Sequence, residues 1–318
     1  MKIVQTKINS NHSHSILKMD SLNMGQYLVF DIYIQRSSDY IIIIEKGTLL
    51  SQELFTKLKH QEKLFILKED IYKKDLTYKS LQDYTLNNQK DMGVNLGLLN
   101  TINQQLFTNY LNSKEDDIEI ESAKSIVKTI IFLIQNNPNF LKEIIPHFSN
   151  EHELSTHSLS VCIYSLSIAI LLKLQNHELV QLGTAAILHD VGLKKIDDKL
   201  LDKNDKLSTY EMKEIQKHPL YSTKIIKQNL IFDPYIIDAI THHHENYDGT
   251  GYPDSLEAKD ISIFASIISI ADVFDALTNN RPARKAYKSF EALKIMMQDE
   301  SMAHKFNHTY LQLFLKLL

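Results

Sequence analysis

The chain has 318 residues, of which 43% are hydrophobic, so it is long and apolar enough for two domains with sizeable cores. Its net charge of −4 provides no overall basic field, which argues against a protein that coats nucleic acid. The single cysteine, Cys162, excludes an intramolecular disulfide and falls in an apolar helical run, where we expect it to be buried.

The sequence gives no indication of a membrane segment. Its most apolar runs, residues 40–44 and 261–271, are too short or too interrupted for the ~20 apolar residues that span a bilayer. The N-terminus also lacks the apolar core of a signal peptide. We therefore predict a cytoplasmic protein with neither a membrane nor a nucleic-acid partner.

The N-terminal part of the chain is predicted to form a small unit of mixed secondary structure. Residues 26–35, 40–45 and 63–68 are rich in β-branched and aromatic residues, which favours strands. Residues 51–59 have apolar residues at helical spacing. We find no catalytic constellation in this unit, and we expect His12 and His14 to be solvent-exposed.

The next part is polar and predicted to be helical, with a loop at residues 87–91 and helices at 98–111 and 119–135. Pro138 then stops the second helix. The interpretation is an α+β module at residues 1–75, a helical connector at 76–145 and an all-α unit at 146–318. The connector is expected to relay a signal or to support a homodimer.

Helix start signals recur after residue 145, and no strand pattern is present. Ser208 with Glu211 forms a capping-box pattern, and His218-Pro219 marks a helix end or start. Asp233-Pro234 predicts an N-cap followed by proline at the first helical position. Residues 261–278 predict an apolar helix. The fold class is therefore α+β overall, with a helical bundle after the N-terminal module.

The chemistry of this bundle is predicted to centre on residues 185–192, AAILHDVG, where an apolar helix ends in His189-Asp190. A lone His-Asp pair is usually structural, but here similar residues recur at helix-sized intervals on either side. His157 lies 32 residues earlier and His218 lies 29 residues later. Helical bundles assemble inward-facing metal sites from several helices in this way.

Four ordered motifs in residues 148–318 resemble the HD-GYP branch of the HD phosphohydrolase superfamily. Besides His189-Asp190, residues 243–253 read HHENYDGTGYP, residues 271–278 read ADVFDALT, and residues 281–284 read RPAR. The resemblance implies an HD-type helical bundle that hydrolyses cyclic di-GMP at a centre of two or three transition-metal ions, with iron or manganese favoured. A hydroxide bridging two ions would attack the phosphodiester and release the linear dinucleotide pGpG and, by further cleavage, GMP.

The resemblance also implies a role for each site residue. One ion would be held by His157, His189, Asp190 and Asp272, and Asp190 would bridge to a second ion held by His218, His243 and His244. Glu153 matches a position where some relatives place a ligand for a third ion, and a helix would stack it on the face of His157. Asp275 is predicted to orient a ligand histidine.

The residues predicted to contact substrate are less specific. Gly251, Tyr252 and Pro253 allow close approach to a base, although a plain helix-terminating loop explains them as well. Arg281 and Arg284 offer guanidinium groups to phosphate or guanine.

One position departs from the family pattern. Relatives read HDxGK, and Leu193 stands here in place of that lysine, with Lys194 as the nearest substitute.

Three functions remain in play at this point. The first is a cyclic di-GMP phosphodiesterase, and the second is a low-activity sensor or protein-interaction module that binds the nucleotide. The third, a phosphatase for another nucleotide, is weakened by the intact residues 251–253. The sequence leaves open whether a diguanylate cyclase or another signalling partner docks on the protein.

Overall fold

The structure is a computed structural model. It describes residues 7–8, 13–19, 22, 28, 30–37, 39–45, 48, 50–61, 63–68, 92–137, 139–148, 153–201, 203, 205, 207–229, 233–280 and 284–318, with backbone only for 7–8, 92–95 and 146–148. The predictions for His12, for the loop at 87–91 and for Arg281 lie outside the described residues.

The N-terminal unit contains an antiparallel sheet whose five described strands have the order β1-β4-β3-β5-β2. The strands are β1 Lys7–Ile8, β2 His14–Leu17, β3 Ile32–Arg36, β4 Asp39–Ile44 and β5 Leu64–Leu67. The predicted strands at 40–45 and 63–68 are confirmed. The strand predicted at 26–35 begins only at Ile32, and β1 and β2 were not predicted.

Helix α1, Gln52–Lys59, is the predicted helix of this unit, and the hydroxyl of Ser51 caps it by accepting from the Leu54 amide at 3.3 Å. The expectation that His14 is solvent-exposed is wrong. Its ring stacks on Tyr40 with centroids 3.7 Å apart and meets the edge of Tyr33. The cause is the pairing of β2 with β5, a contact across fifty residues that local sequence does not reveal.

Helices make up most of the remaining described chain, and several of them begin at the predicted start signals. They are α2 Met92–Asn112, α3 Ile120–Asn136, α4 Phe140–Phe148, α5 Leu154–Leu171, α6 Asn176–Leu188, α7 Asp198–Leu201, α8 Thr209–Ile215, α9 His218–Gln228, α10 Pro234–His242, α11 Ile263–Thr278, α12 Ser289–Gln298 and α13 His308–Leu315. Short 3₁₀ turns lie at Val191–Lys195, Ala258–Asp260 and Ala303–Lys305. The α+β fold class with a helical second part is confirmed.

Three predicted helix starts are confirmed in detail. Ser208 and Glu211 form the capping box of α8. Asp233 accepts from the amides of Tyr235 and Ile236 at the start of α10. Helix α9 begins at His218. Helix α9 thus begins with the candidate ligand His218, and α10 ends at the candidate ligand His243, so side chains from different helices can meet there.

The chain divides into two compact units, Met1–Gln105 and Leu106–Leu318, so the division falls inside helix α2. Helices α3 and α4, which the sequence assigned to a connector, therefore belong to the same unit as the helices that follow them. In that unit α5 packs on α6 and α11, and α6 also packs on α10 and α3. The three-part functional division of the chain stays a prediction.

Helix α5 forms the centre of the second unit. It is long and apolar enough to cross a membrane, but 78% of it is buried inside the protein, as expected for a core helix. Cys162 on this helix is a free, fully buried thiol, as predicted. Tyr164 on the same helix packs edge-on against Phe274 of α11, with centroids 5.1 Å apart. This packing fixes the two helices that carry His157 and Asp272.

Candidate metal centre

Seven of the eight residues predicted as metal ligands converge in the second unit. They come from five places in the chain: the first turn of α5, the end of α6, the start of α9, the end of α10 and the middle of α11. Their side-chain atoms form two groups, each with its atoms within 4.8 Å of one another. We call them the first triad (His157, His189 and Asp272) and the second cluster (Asp190, His218, His243 and His244).

The first triad is built around the Nε2 atom of His157. This atom lies 3.3 Å from Nε2 of His189 and 3.4 Å from Oδ1 of Asp272. His189 is fully buried, and the side chains of the other two are largely buried, at 19% and 13% exposure. Two imidazole nitrogens and a carboxylate oxygen therefore face one shared point.

The second cluster is built around the Nε2 atom of His218. This atom lies 3.4 Å from Nε2 of His243 and 3.1 Å from Nε2 of His244. It also lies 3.1 Å from Oδ1 of Asp190. His243 is fully buried, and His218 nearly so. Three imidazoles and one carboxylate oxygen converge here.

Asp190 lies between the two groups. Its Oδ2 atom is 3.4 Å from His189 and 3.6 Å from His157, whereas its Oδ1 atom faces the second cluster. Oδ1 is buried, and although Nε2 of His218 lies 3.1 Å away, the oxygen accepts no hydrogen bond of regular geometry. A buried carboxylate oxygen without a partner is costly, so this position calls for a cation.

The other nitrogen of most of these imidazoles is already engaged. The Nδ1 atoms of His189, His218 and His243 each lie 2.8 Å from a backbone carbonyl three residues earlier in the chain. Donation to a carbonyl places the proton on Nδ1 and leaves the lone pair of Nε2 directed into the centre. In its neutral form with this tautomer, an imidazole can bind a metal ion through Nε2.

His157 is anchored by a side chain instead. Its Nδ1 lies 2.8 Å from Oδ2 of Asp275, which is almost fully buried. The other oxygen of Asp275 accepts a short hydrogen bond from the hydroxyl of Ser160. Asp275 thus lies where the sequence predicted it, beside a ligand histidine and outside both groups.

Burial and neighbouring charges shift the pKa values of the centre in opposite directions. Burial lowers the pKa of His189 to about 3. Burial also disfavours the charged form of His157, but hydrogen bonds to Asp190 and Asp275, together with the negative charge of Asp275, outweigh burial and hold its pKa well above the ordinary value. Burial favours the neutral acid of Asp190, yet the neighbouring imidazoles, His189 and His218 foremost, hold its pKa well below the ordinary value. Asp190 thus stays ionised and favours a proton on His157 and on His218, and bound cations would displace these protons.

The donor set and its spacing fit divalent transition metals. Two ligands that each lie about 2.1 Å from one ion are separated by about 3.0–3.4 Å. The shortest contacts within the two groups range from 3.1 to 3.5 Å. Nitrogen and oxygen donors without a thiolate suit Mn, Fe, Co or Zn. Among the described residues, the two groups sharing Asp190 therefore have the composition of a two-metal centre.

The predicted third-ion residue is placed differently. Glu153 is the N-cap of α5, with an extended backbone (φ −77°, ψ 138°) and an exposed side chain. The expected helical stacking on His157 is therefore wrong, because the helix begins one residue after Glu153. Glu153 belongs to neither ligand group.

The loop at 245–256 supports the centre from one side. The ring of Tyr252 stacks on His244, with centroids 4.8 Å apart and planes 29° apart. A Cβ atom on Gly251 would come within 2.6 Å of the His244 carbonyl, so only glycine fits there. The peptide bond before Pro253 is cis. In this structure Gly251 and Tyr252, two of the three residues predicted as substrate contacts, lie against the backbone and ring of His244.

Sequence reasoning missed the anchor of this loop. Glu245 is 1% exposed, and its two carboxylate oxygens accept from the amides of Asp254 and Leu256 at 2.7 and 3.0 Å. It closes the loop through charge-assisted hydrogen bonds. A glutamate directly after two candidate ligands was the available signal. The neighbouring His242 contacts the carboxylates of Asp238 and Asp254 and lies outside the ligand groups.

Two cations predicted to contact substrate are engaged elsewhere. The Lys194 ammonium donates to the carbonyls of Tyr110 and Ser113, both at 2.7 Å. The Arg284 guanidinium donates to three backbone carbonyls, including those of Ala276 and Leu277, and lies over the Tyr287 ring. Both hold backbone in place, which argues against their prediction as phosphate ligands. Leu193, at the departure from the family pattern, is half-buried.

Comparisons with known proteins agree with this fold. A family model described as HD domain matches residues 139–306. A cyclic di-GMP phosphodiesterase of Pseudomonas aeruginosa is 30% identical over 57% of this chain and 44% of its own length. A 3′3′-cGAMP-specific phosphodiesterase of Vibrio cholerae is 36% identical over 45% of this chain and 31% of its own length. The chain thus spans less than half the length of these relatives.

One solved structure shares the fold over nearly the whole chain. It is described as an HDG"Y"P protein from Bdellovibrio bacteriovorus, with a TM-score of 0.64 and 21% identity, and the match covers 96% of this chain and 99% of that one. The family model covers more than half of the 318 residues, including all seven converging ligands. The chain belongs to the HD domain family.

Proposed function

We propose that the protein is a metal-dependent phosphodiesterase that hydrolyses a cyclic dinucleotide, with cyclic di-GMP as the first candidate substrate. The observation that carries the proposal is Asp190, whose two oxygens face two separate groups of histidines. Relatives named as cyclic di-GMP phosphodiesterases in Pseudomonas aeruginosa and Borreliella burgdorferi support the substrate class. The proposal includes a cytoplasmic location and the use of iron or manganese as the metal.

The residues of this chain would act mainly by holding the two cations at fixed positions. When bound, two divalent cations would supply a water of lowered pKa and neutralise charge that develops on the phosphate. Asp190 would hold the two positions at a fixed separation, and the Nδ1 anchors would keep each imidazole from rotating. The oxygen of water would bond to phosphorus while the bond from phosphorus to a 3′ oxygen breaks. The product is the linear dinucleotide pGpG, and a second cleavage would give GMP.

The residues that recognise the phosphate and bases belong to this proposal as well. Leu193 replaces the lysine of the family pattern, while Lys194 and Arg284 are occupied by backbone carbonyls. Arg281 lies outside the described residues and stays a prediction, and so does contact between Tyr252 and a base.

Two observations favour specific alternatives. The relatives include a phosphodiesterase named for 3′3′-cGAMP, so the second base of the substrate is open to test. The Leu193 substitution favours a sensor that binds cyclic di-GMP with little turnover. Dimerisation through the helices before residue 146 and docking of a signalling partner are further proposals.

The decisive experiment is turnover by metal-loaded protein purified without oxygen. Equal concentrations of cyclic di-GMP and 3′3′-cGAMP are incubated in parallel with Mn²⁺- or Fe²⁺-loaded protein, and the products are separated. We expect pGpG to accumulate from cyclic di-GMP, and an Asp190→Ala variant to form none. Tight binding of cyclic di-GMP without product would support the sensor instead. Absence of both binding and product with two ions bound would refute the substrate class.

A further inference from the structure

The 3₁₀ turn Val191–Lys195 follows Asp190 directly, and contacts hold it on two sides. On one side it lies against α9. The amide of Gly192 donates to the Ser222 hydroxyl at 2.8 Å, and a Cβ atom on Gly192 would lie 2.2 Å from the His218 carbonyl. The turn and the helix that carries His218 are therefore in direct backbone contact.

On the other side, the turn is fastened to residues 110–118, where α2 ends. The fully buried Tyr110 donates its hydroxyl hydrogen to the Val191 carbonyl at 2.8 Å. Lys194 returns the contact by donating to the Tyr110 carbonyl, and its ammonium lies 4.5 Å from the centre of the Tyr110 ring. We call the pair of Tyr110 and Lys194 the latch.

Neighbouring contacts brace the latch. Asp116, with a left-handed backbone (φ 57°), pairs with Lys194 at 3.3 Å and also with Lys195. Asn229, at the end of α9, donates to the Asp116 carbonyl and accepts from the Ile118 amide. Residues 110–118 are thus attached both to the turn and to α9, all within the second unit.

Asp190 depends on this turn more than the histidines do. His189, His218 and His243 each have an Nδ1 hydrogen bond that fixes the ring. The Oδ1 atom of Asp190 has no hydrogen bond to fix it. The backbone at Asp190 has also left the helical conformation (φ −104°, ψ 8°), so the turn that follows sets the direction of the side chain. A small rotation of this backbone would move both oxygens relative to the two ligand groups.

We propose that Tyr110 and Lys194 are positioning residues that fix the backbone after Asp190, and that the end of α2 thereby sets the metal affinity of the centre. The inference rests on the proposed two-metal function. It assigns Lys194, the nearest cation to the missing family lysine, to the backbone instead of the substrate. Displacement of the end of α2 would separate Tyr110 from Val191 and weaken the bridge between the two cation positions.

The test measures metal affinity instead of activity. Full-length protein is stripped of metal and titrated with Mn²⁺ in competition with a fluorescent chelator, and thermal unfolding of the metal-free protein is followed separately. Tyr110→Phe removes one hydroxyl, and Lys194→Met removes one ammonium. Lys195→Met is the matched control, because Lys195 pairs with the same Asp116, whereas the contacts to Tyr110 are made by Lys194. Lys194→Arg tests rescue, because it keeps the charge and the donors.

We expect Tyr110→Phe and Lys194→Met to weaken Mn²⁺ binding about tenfold, at the low end of the range for residues that orient metal ligands. Lys195→Met should stay within about twofold, and Lys194→Arg should recover most of the affinity. Unchanged affinity in Tyr110→Phe and Lys194→Met, even with a lower melting temperature, would overturn the latch and leave the metal centre intact. Equal weakening by Lys195→Met would overturn it too. Wild-type protein that binds no Mn²⁺ would overturn both the latch and the proposed function.

Discussion

The two ligand groups of the centre are anchored in different ways. In the second cluster, the rings of His218 and His243 are held by carbonyls three residues earlier in their own helix-end turns. In the first triad, His189 is held by a carbonyl in the same way, but His157 is held by Asp275, which lies 118 residues away in the sequence. The second cluster therefore depends mainly on local backbone geometry, whereas the first triad depends also on the packing of α5 against α11.

This difference has an electrostatic side. A carboxylate partner makes an imidazole more basic, whereas a carbonyl partner chiefly fixes its orientation. The pKa of His157 lies well above its ordinary value despite burial, because Asp190 and Asp275 favour its charged form. In the second cluster the charge of Asp190 also raises the pKa of His218 despite burial, whereas burial together with the charges of His243 and His218 lowers the pKa of His244 well below its ordinary value. The two groups should therefore lose metal under different substitutions.

The largest effect is expected from Asp190→Ala, which removes the ligand that the two groups share. Both cation positions should be affected, so metal content should fall from two ions per chain to well below one, and turnover should vanish. Elemental analysis after chelator-free purification measures the loss. Asp198→Ala, at an exposed helix start, is the control and should retain both ions. Retention of one tightly bound ion by Asp190→Ala would show that the groups bind independently.

Asp275→Asn should lower the metal affinity of the first triad without lowering that of the second cluster. An amide accepts from His157 more weakly than a carboxylate does, so affinity at the first triad should fall about 10–100-fold, while the second cluster keeps its ion. Chelator competition with one- and two-equivalent titrations resolves the two affinities. Ser160→Ala keeps the carboxylate and removes only the hydroxyl that contacts it, so it should have a smaller effect. Equal loss at both positions would mean that α11 supports the whole centre.

Tyr252 tests the support of the second cluster. Tyr252→Leu removes the ring that stacks on His244 and should cost about 0.5–1.5 kcal/mol, which is about a 2- to 13-fold loss of affinity at that cluster. Tyr252→Phe keeps the ring, so its metal binding should match that of the wild type. A rise in KM for Tyr252→Phe with unchanged metal content would instead assign the hydroxyl to substrate. Steady-state kinetics and metal titration of the two variants distinguish these outcomes.

The smallest effect is expected from Glu153→Ala. Because Glu153 is an exposed N-cap outside both ligand groups, the variant should keep the metal content of the wild type. Its main consequence should be a small loss of stability from removing a negative charge at a helix start, within about 1 kcal/mol. Loss of one ion per chain would restore the third-ion role that the family resemblance implies.

Sequence alone determined the helical half of this protein and the identity of its candidate ligands. Capping residues such as Ser208 and Asp233 bond to amides two or three residues later, so the helix start can be predicted from the local sequence. The same holds for the anchors at His189, His218 and His243, which are carbonyls only three residues away. A histidine at a helix end therefore has its ring oriented by the backbone of the same short segment.

Tertiary structure decided what depends on distant contacts. Nothing near Lys194 in the sequence indicates that its ammonium bonds to carbonyls around residue 110, and nothing near Glu153 shows that α5 begins one residue later. The β2–β5 pairing that places His14 against Tyr40 is long-range in the same way. The separate roles of Asp190 Oδ1 and Oδ2 emerged only when α5, α6, α9, α10 and α11 were packed together. Local interactions are encoded in short segments, whereas the direction of a side chain in a shared site depends on every helix that surrounds it.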